Sequence, residues 1–120
     1  MISIGESVFK ALESLNVPVR HSHLPENMVL PCVTWHESGN RQASQADGRE
    51  YLSEVEYAVD IWSYSTEMNA QLLCAADAAL AAIGLKRTYS AELFETDTRL
   101  HHRAARYSGW VDLQKNVWQG

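Results

Sequence analysis

The stretch "YLSEVEYAVDIWS", residues 51–63, decides the fold because large apolar side chains alternate with polar ones along it. Successive side chains of a strand point to opposite faces, so this alternation predicts a strand with one covered face and one wetter face. The residues predicted on the covered face are Tyr51, Val55, Tyr57, Val59 and Ile61, and those predicted on the wetter face are Glu54, Glu56, Ala58 and Asp60.

The strand runs directly into a helix start. Ser65 is the natural N-cap and Glu67 suits the first turn, where a carboxylate interacts favourably with the helix dipole. Asp60, Trp62 and several hydroxyl groups crowd this corner and raise the question of a reactive site. The helix start explains the hydroxyl groups adequately, so we interpret the corner as a strand-to-helix junction. The predicted buried stripe of the helix is Met68, Leu72, Ala76, Leu80 and Ile83, with Gly84 at C′.

This second helix is unusually poor in charge. Between Met68 and Ile83 its only charged residue is Asp77. A solvated helix face normally carries charges, so the pattern predicts that the helix is covered twice, by the sheet and by either the first helix or another subunit. The alternative is that alanine merely favours helix. The small residues on the face away from the stripe are Ala70, Cys74, Ala78 and Ala81.

The rest of the chain supplies one more helix and several strands. Ile4, Val8, Ala11, Leu12 and Leu15 share a helical face, and Ser3 with Glu6 has the capping-box spacing. Extended segments are predicted at residues 19–23 and 32–37, and residues 38–50 are predicted to be a polar loop or hairpin tip with turns at Gly39 and Gly48.

After the second helix the sequence predicts "LKRTY" as a short strand, "SAELFETDT" as a turn with some extended character, and residues 99–113 as a long strand with a bulge or bend at Gly109. If this strand neighbours the central one, some of Arg99, Arg103 and Arg106 pair with its carboxylates. Together the elements predict one α+β domain over residues 1–120, a mostly antiparallel sheet with two helices packed on one face.

Composition excludes some functions. The net charge of −5 argues against a nucleic-acid coat, because phosphate binding needs clustered Lys and Arg. Cys32 and Cys74 form no Cys-x-x-Cys pair, so we expect two buried free thiols. The N-terminus lacks signal-peptide features, and no run reaches the length of a membrane span. These features favour a protein that is cytoplasmic or assembled there.

No catalytic motif emerges. A His-x-His pair can bind zinc if a third ligand converges, yet the sequence has no HExxH and no Cys/His ladder. It also lacks a G-x-S-x-G elbow and a glycine-rich phosphate loop. A small metal-binding protein or enzyme that uses the histidines stays an alternative, as does a monomeric module that binds a peptide at a sheet edge. The histidines are His21, His23, His36, His101 and His102.

Several segments recur in a familiar order. "LPCVTW" follows a proline-punctuated segment, "YLSEVEYAVDIWSYS" follows a polar loop, and "MNAQLLCAADAALAAIGLKR" precedes "LFETDTRLHHRAARYSGWVD", where an acidic turn runs into a basic strand. This order, over most of the chain, resembles the tail completion or tail terminator proteins of long-tailed bacteriophages and prophages, also called minor capsid or head–tail joining proteins.

The resemblance implies a structural virion protein with no catalytic residues and no cofactor. Such proteins form rings, commonly hexameric, that cap the tail tube and join it to the head connector. They belong to the virion tail and are assembled in the cytoplasm of the bacterial host. The implied partners are other copies of the chain, the tail tube protein and head connector proteins, without sequence-specific nucleic acid or a membrane.

The polar loop at residues 40–49 and the charged strand faces are the regions that the resemblance suggests for contacts. Trp35 and Trp62 are further candidates for half-exposed interface anchors. An acidic subunit could also line a channel through which DNA passes without adhering. The candidate interaction residues are Arg41, Gln45, Asp47, Arg49, Glu54, Glu56, Asp60, Trp62 and Ala78.

Overall fold

A computed structural model describes residues 1–46 and 49–119 of the chain. The described residues form two helices and six strands. In chain order these are α1 (Gly5–Glu13), β1 (Val19–His21), β2 (Cys32–Ala46), β3 (Arg49–Ser63), α2 (Thr66–Ala82), β4 (Lys86–Glu95), β5 (Leu100–Asp112) and β6 (Val117–Trp118).

The strands form one mixed sheet with the order β1-β2-β3-β5-β4, and β6 also pairs with β5. The pairing of β1 with β2 is parallel, and the other described pairings are antiparallel. The α+β class is therefore confirmed, although the sheet is mixed and not purely antiparallel. The parallel pair arises because the chain from β1 to β2 returns to the same end of the sheet before β2 starts.

Strand β3 lies at the centre and carries the core. Val55, Tyr57, Val59 and Ile61 have no exposed surface, as their alternation predicts. Tyr51 is an exception: 42% of its surface is exposed. It lies near the far end of the β2–β3 hairpin, and the residue buried on its face is Ser53. The covered face of β3 therefore begins two residues later than the sequence predicts.

Two segments that lack strand character in the sequence are strands in the structure. Strand β2 continues past Glu37 to Ala46, paired with β3 through register shifts at Glu37/Gly39 and Gln42/Ser44. The prediction of a loop from residue 38 was wrong because ladder hydrogen bonds form without apolar side chains and because bulges absorb irregular residues. The predicted turn at Gly48 lies outside the described residues.

Strand β4 is likewise longer than predicted and runs to Glu95, so the predicted turn is confined to residues 96–99. The prediction failed because the segment is polar on average, whereas its pairing with β5 is continuous from Tyr89 to Glu95. Strand β5 matches its prediction closely and lies beside β3.

The strand-to-helix junction forms as predicted. The Ser65 hydroxyl accepts a hydrogen bond from the Met68 amide at 3.1 Å, and Gly84 adopts a positive φ of 96° after the helix. Met68, however, is 38% exposed and Asn69 is buried in its place. The Asn69 side chain accepts from the Ser63 hydroxyl at 2.7 Å and donates to the His101 carbonyl at 2.9 Å. These bonds fasten the helix start to β3 and β5, so the corner is structural.

Helix α1 starts differently from its prediction. Its N-cap position is Ile4, and no side chain caps it. The Ser3 hydroxyl accepts from the Gly5 amide at 3.3 Å and lies 3.5 Å from the Tyr57 hydroxyl, so the predicted capping box with Glu6 is wrong. The buried Tyr57 hydroxyl accepts from the Ile4 amide at 3.2 Å and replaces the cap.

Helix α2 is fastened at its middle by a buried tyrosine. The Tyr107 hydroxyl donates to Asp77 Oδ1 at 2.6 Å, and Arg87 Nε donates to the same carboxylate at 3.0 Å. Burial of Tyr107, followed by its bond to the Asp77 carboxylate, raises the pKa of the phenol well above its usual range. The one charged residue in the middle of α2 is therefore used inside the protein.

Gly109 does not mark the bulge or bend that the sequence predicts. The register of β5 with β3 runs through it without a shift. A Cβ at this position would lie 2.8 Å from Val117 Cγ1 and 3.1 Å from Leu85 Cδ2. Glycine is required here because β6 and the start of β4 pass directly over the backbone.

We predict that Gly109→Ala lowers the free energy of unfolding by about 1–3 kcal/mol, because the added methyl overpacks the contact with Val117. Gly39→Ala is the control, since its nearest atom would be Glu56 Cβ at an ordinary 3.6 Å. Urea unfolding of both variants checks this, and equal midpoints would contradict it.

We also predict that Tyr107→Phe costs about 1–2 kcal/mol at neutral pH, because it removes a buried hydrogen bond to a carboxylate. Above a pH of about 10, an unfolded tyrosine releases its proton while the buried Tyr107 cannot, so the wild type loses stability with rising pH and the variant loses less. Tyr64→Phe, at a 70% exposed position, is the control. The free energy of unfolding is measured at several pH values for the wild type and for Tyr107→Phe. An equal change with pH in both proteins would contradict the assignment.

Candidate interaction surfaces

The face of the sheet away from the buried cluster carries most of the charge, and we call it the outer sheet face. It consists of alternate residues of β3 and the β5 residues directly opposite them. These pairs are Glu54–Trp110, Glu56–Ser108, Ala58–Arg106, Asp60–Ala104 and Trp62–His102. Four predicted candidates, Glu54, Glu56, Asp60 and Trp62, thus lie in one row on one strand.

One end of this face is built around His102. Its ring stacks on Trp62 with centroids 3.9 Å apart and planes 8° apart. Its Nε2 lies 2.6 Å from Asp60 Oδ1, and its Nδ1 lies 3.7 Å from Glu95 Oε1. Trp62 Nε1 donates to Thr34 Oγ1 at 3.1 Å. Trp62 is therefore held in place within the face and is only partly available to a partner.

The other end carries exposed ion pairs across the ladder. Arg41 Nη2 lies 2.9 Å from Glu54 Oε1, and Arg106 Nη1 lies 3.4 Å from Glu56 Oε1. The predicted cross-strand pairing of β5 arginines with β3 carboxylates is thus confirmed for Arg106. Arg99 precedes β5 in the turn, and Arg103 Nε is buried without a hydrogen-bond partner among the described residues.

A second candidate surface lies on α2. The four small residues predicted on the face away from the buried stripe are all exposed, so no described part of the chain, α1 included, covers them. We call these residues the small face of α2: Ala70, Cys74, Ala78 and Ala81. The prediction that both thiols are buried was wrong for Cys74, whereas Cys32 is fully buried. Burial raises the pKa of the Cys32 thiol to about 11, although nearby Arg20 opposes this shift.

The remaining predicted candidates lie apart from these surfaces. Gln45 and Arg49 belong to the strand ends of the hairpin, where Gln45 pairs with Glu50 and Arg49 with Ala46. Asp47 lies outside the described residues. Trp35 is 9% exposed and belongs to the core, so its prediction as a half-exposed anchor was wrong. Ala78 lies on the small face of α2, separate from the outer sheet face.

Sequence reasoning missed the free edge of β4. Tyr89, Leu93 and Phe94 are each about half exposed, at 49%, 49% and 53%. Tyr89 lies in the predicted short strand, whereas Leu93 and Phe94 were missed because their segment was interpreted as a turn with some extended character. The signal available was Tyr89, Leu93 and Phe94 within an otherwise polar run that lacks Pro and Gly.

The histidines do not form a metal site among the described residues, where no group of three or more His, Cys, Asp or Glu side chains is placed to hold an ion. His101 and His102 point to opposite faces, as adjacent strand residues must. His21 packs edge-on against Trp35 at 4.7 Å. Across residues 1–46 and 49–119, no helix is long and apolar enough to cross a membrane.

Comparison with known proteins gives one finding. The family model described as "Tail completion protein gp17" matches residues 9–112, which contain α1 from Phe9 onward, β1 to β5 and α2. The search of curated proteins found no significant match.

We predict that Asp60→Ala lowers the free energy of unfolding by about 1–3 kcal/mol, because it removes the partner of the partly buried His102 ring. Glu54→Ala, on the same face of the same strand, should cost about 1 kcal/mol or less because its pair with Arg41 is exposed. Denaturant unfolding compares the two, and equal costs would show that the His102 cluster adds nothing beyond a surface ion pair.

Proposed function

The chain belongs to the phage tail completion protein family, whose members are structural tail components, and on that premise we propose that it caps the tail tube and joins it to the head connector. In this proposal it is a single domain over residues 1–120 that acts as a subunit of a ring, commonly hexameric, and catalyses no reaction. It is assembled in the host cytoplasm and stays in the virion tail. Its partners are the tail tube protein, head connector proteins and further copies of itself.

The observation that carries the ring proposal is the small face of α2. Its residues are exposed, uncharged and short, so a second backbone can approach closely without desolvating a charge. Asp77, the only charge in the middle of the helix, is already bound to Tyr107 and Arg87. An exposed apolar helix face of this kind marks a protein contact more often than a solvated surface.

The sheet supplies a different kind of surface for the other partners. We infer that both helices cover one face of the sheet, since α1 and α2 contact each other and bury residues in the same cluster. This leaves the outer sheet face to the tube, the connector or the channel. The net charge of −5 fits a channel that DNA passes without adhering, because like charges repel, although Glu54, Glu56 and Asp60 are themselves paired with Arg41, Arg106 and His102.

The alternative of an enzyme or metal-binding protein lacks a supporting observation, because no group of three or more His, Cys, Asp or Glu side chains among the described residues is placed to hold an ion. The alternative of a module that binds a strand at a sheet edge has one, the exposed apolar residues of β4. Strand addition needs such an edge.

The test uses a phage from which this gene has been deleted, with the chain supplied from a plasmid. We predict that particles lacking the chain show tails of abnormal length or tails not joined to heads by electron microscopy. Wild-type chain restores them, whereas Ala78→Glu does not, because it places a charge in the centre of the small face.

Val29→Glu is the matched control, because it makes the same change in net charge at a 71% exposed residue outside α2. Circular dichroism and unfolding curves establish that both variants fold. If Ala78→Glu restores joined particles as well as Val29→Glu does, the small face is not the ring contact. If particles without the chain are normal, the proposed function itself fails.

A further inference from the structure

Strand β4 forms one edge of the sheet. It pairs with β5 on one side, and no described strand pairs with its other side. Strand β6 lies on the same side of β5, but it pairs with Trp110 and Val111, beyond the end of β4. The outward N–H and C=O groups of β4 are therefore free to pair with another strand.

The two edges of the sheet are not equally open. The opposite edge consists of β1, which has three residues, and of the part of β2 that carries register shifts at Glu37/Gly39 and Gln42/Ser44. Short strands and bulges are the features by which proteins prevent edge pairing. Strand β4 has one shift, between Arg87 and Tyr89, and is regular from there to Glu95. Among the residues whose side chains the structure describes, only the β4 edge combines a regular run with exposed apolar side chains.

Those side chains lie on both faces of β4. Tyr89 and Leu93 share the outer sheet face, since they lie opposite Arg106 and His102, and Phe94 lies on the other face. An edge of this kind is unfavourable in a soluble monomer unless a partner strand covers it, because apolar side chains and unpaired backbone groups lie together in water.

Two of the four charged residues of β4 lie symmetrically about Ala91 when positions are counted along β5. Lys86 lies opposite Ser108, Ala91 opposite Ala104 and Glu95 opposite Leu100. Ser108 and Leu100 are each four positions from Ala104 on β5, because the bulge at Thr88 absorbs one residue of β4. Lys86 and Glu95 both lie on the outer sheet face, whereas the other two charged residues, Arg87 and Glu92, lie on the opposite face and have no charged mirror position.

From this symmetry we infer that β4 pairs antiparallel with β4 of a second copy of the chain, about a two-fold axis at Ala91. The axis places Lys86 of each copy opposite Glu95 of the other and Tyr89 opposite Leu93. It also places Ser90 opposite Glu92, and the Ser90 hydroxyl is buried without a hydrogen-bond partner among the described residues. The two Lys86–Glu95 pairs join opposite charges, and such cross-strand pairs stabilise an antiparallel ladder.

The partner strand is β4 of a second copy. In an antiparallel pair the end of the partner lies opposite Lys86 and the start of the partner lies opposite Glu95. A complementary partner strand therefore has a basic residue at its start and an acidic residue at its end. β4 itself has this order, with Lys86 at its start and Glu95 at its end. The contact is isologous, so it closes at two copies. It goes beyond the ring contact proposed for α2, because a ring needs a head-to-tail contact between different surfaces.

The test is sedimentation equilibrium of the purified full chain over a range of concentrations. We expect a reversible monomer–dimer equilibrium for the wild type. Lys86→Glu should raise the Kd of the dimer about fivefold or more, because like charges then face each other twice across the axis. The double variant Lys86→Glu with Glu95→Lys should recover the wild-type Kd within about twofold, since the exchanged pair is again complementary.

Lys115→Glu is the matched control, because it makes the same change in net charge at an exposed residue outside β4. Its Kd should stay at the wild-type value. The inference is overturned if the wild type remains monomeric at about 1 mM, if Lys115→Glu weakens the dimer as much as Lys86→Glu, or if the double variant does not recover.

Ala78→Glu separates this inference from the proposed function. It should dimerise like the wild type, because the small face of α2 takes no part in the β4 pairing. If the wild type forms no dimer, the β4 pairing is wrong and the ring proposal is unaffected. If the wild type forms the dimer and Ala78→Glu fully restores joined particles, the ring contact on α2 is wrong and the β4 pairing is unaffected. A dimer weakened by Ala78→Glu would overturn the assignment of the dimer to β4.

Discussion

Two buried tyrosines, directly opposite each other on β3 and β5, hold the structure together. Tyr57 and Tyr107 have no exposed surface, yet each carries a hydroxyl group that must find a partner in the core. The Tyr57 hydroxyl bonds the Ile4 amide and the Glu37 carboxylate, and the Tyr107 hydroxyl bonds Asp77. Each hydroxyl thus fastens one helix to the sheet, so the positions of both helices depend on this pair.

This requirement explains the charge distribution of α2. Beyond the first turn of α2 the only charged residue is Asp77, which supplies the acceptor that the buried phenol needs, and Arg87 compensates its carboxylate from β4. The remaining outward positions of the helix have no such constraint. The small face of α2 is uncharged although it is exposed. The preference of alanine for helix accounts for the small size of its residues, whereas their lack of charge is what the proposed ring contact requires.

Much of the fold could be predicted from the sequence where local signals and packing agree. The alternation along β3, the Ser65 cap and the glycine at Gly84 were all interpreted correctly. Predictions failed where a distant contact replaced the local signal: Tyr57 takes the place of a cap on α1, and Val117 explains Gly109. Of the candidate surfaces, the sequence predicted the row of residues on β3. It did not predict the parts on β2 and β4, because backbone pairing and bulges determine where those strands run.

The outer sheet face, the small face of α2 and the edge of β4 differ in the kind of contact they can make. The outer sheet face is charged, and its acidic side chains are mostly engaged with Arg41, Arg106 and His102, so a partner there exchanges existing ion pairs for new ones. Such a contact gives specificity and orientation more than affinity. The small face of α2 and the edge of β4 offer apolar area and free backbone groups instead, which a partner can cover without breaking an existing bond. The proposed contacts between copies of the chain use α2 and the β4 edge, and the proposed contacts with other tail or head proteins use the charged outer sheet face.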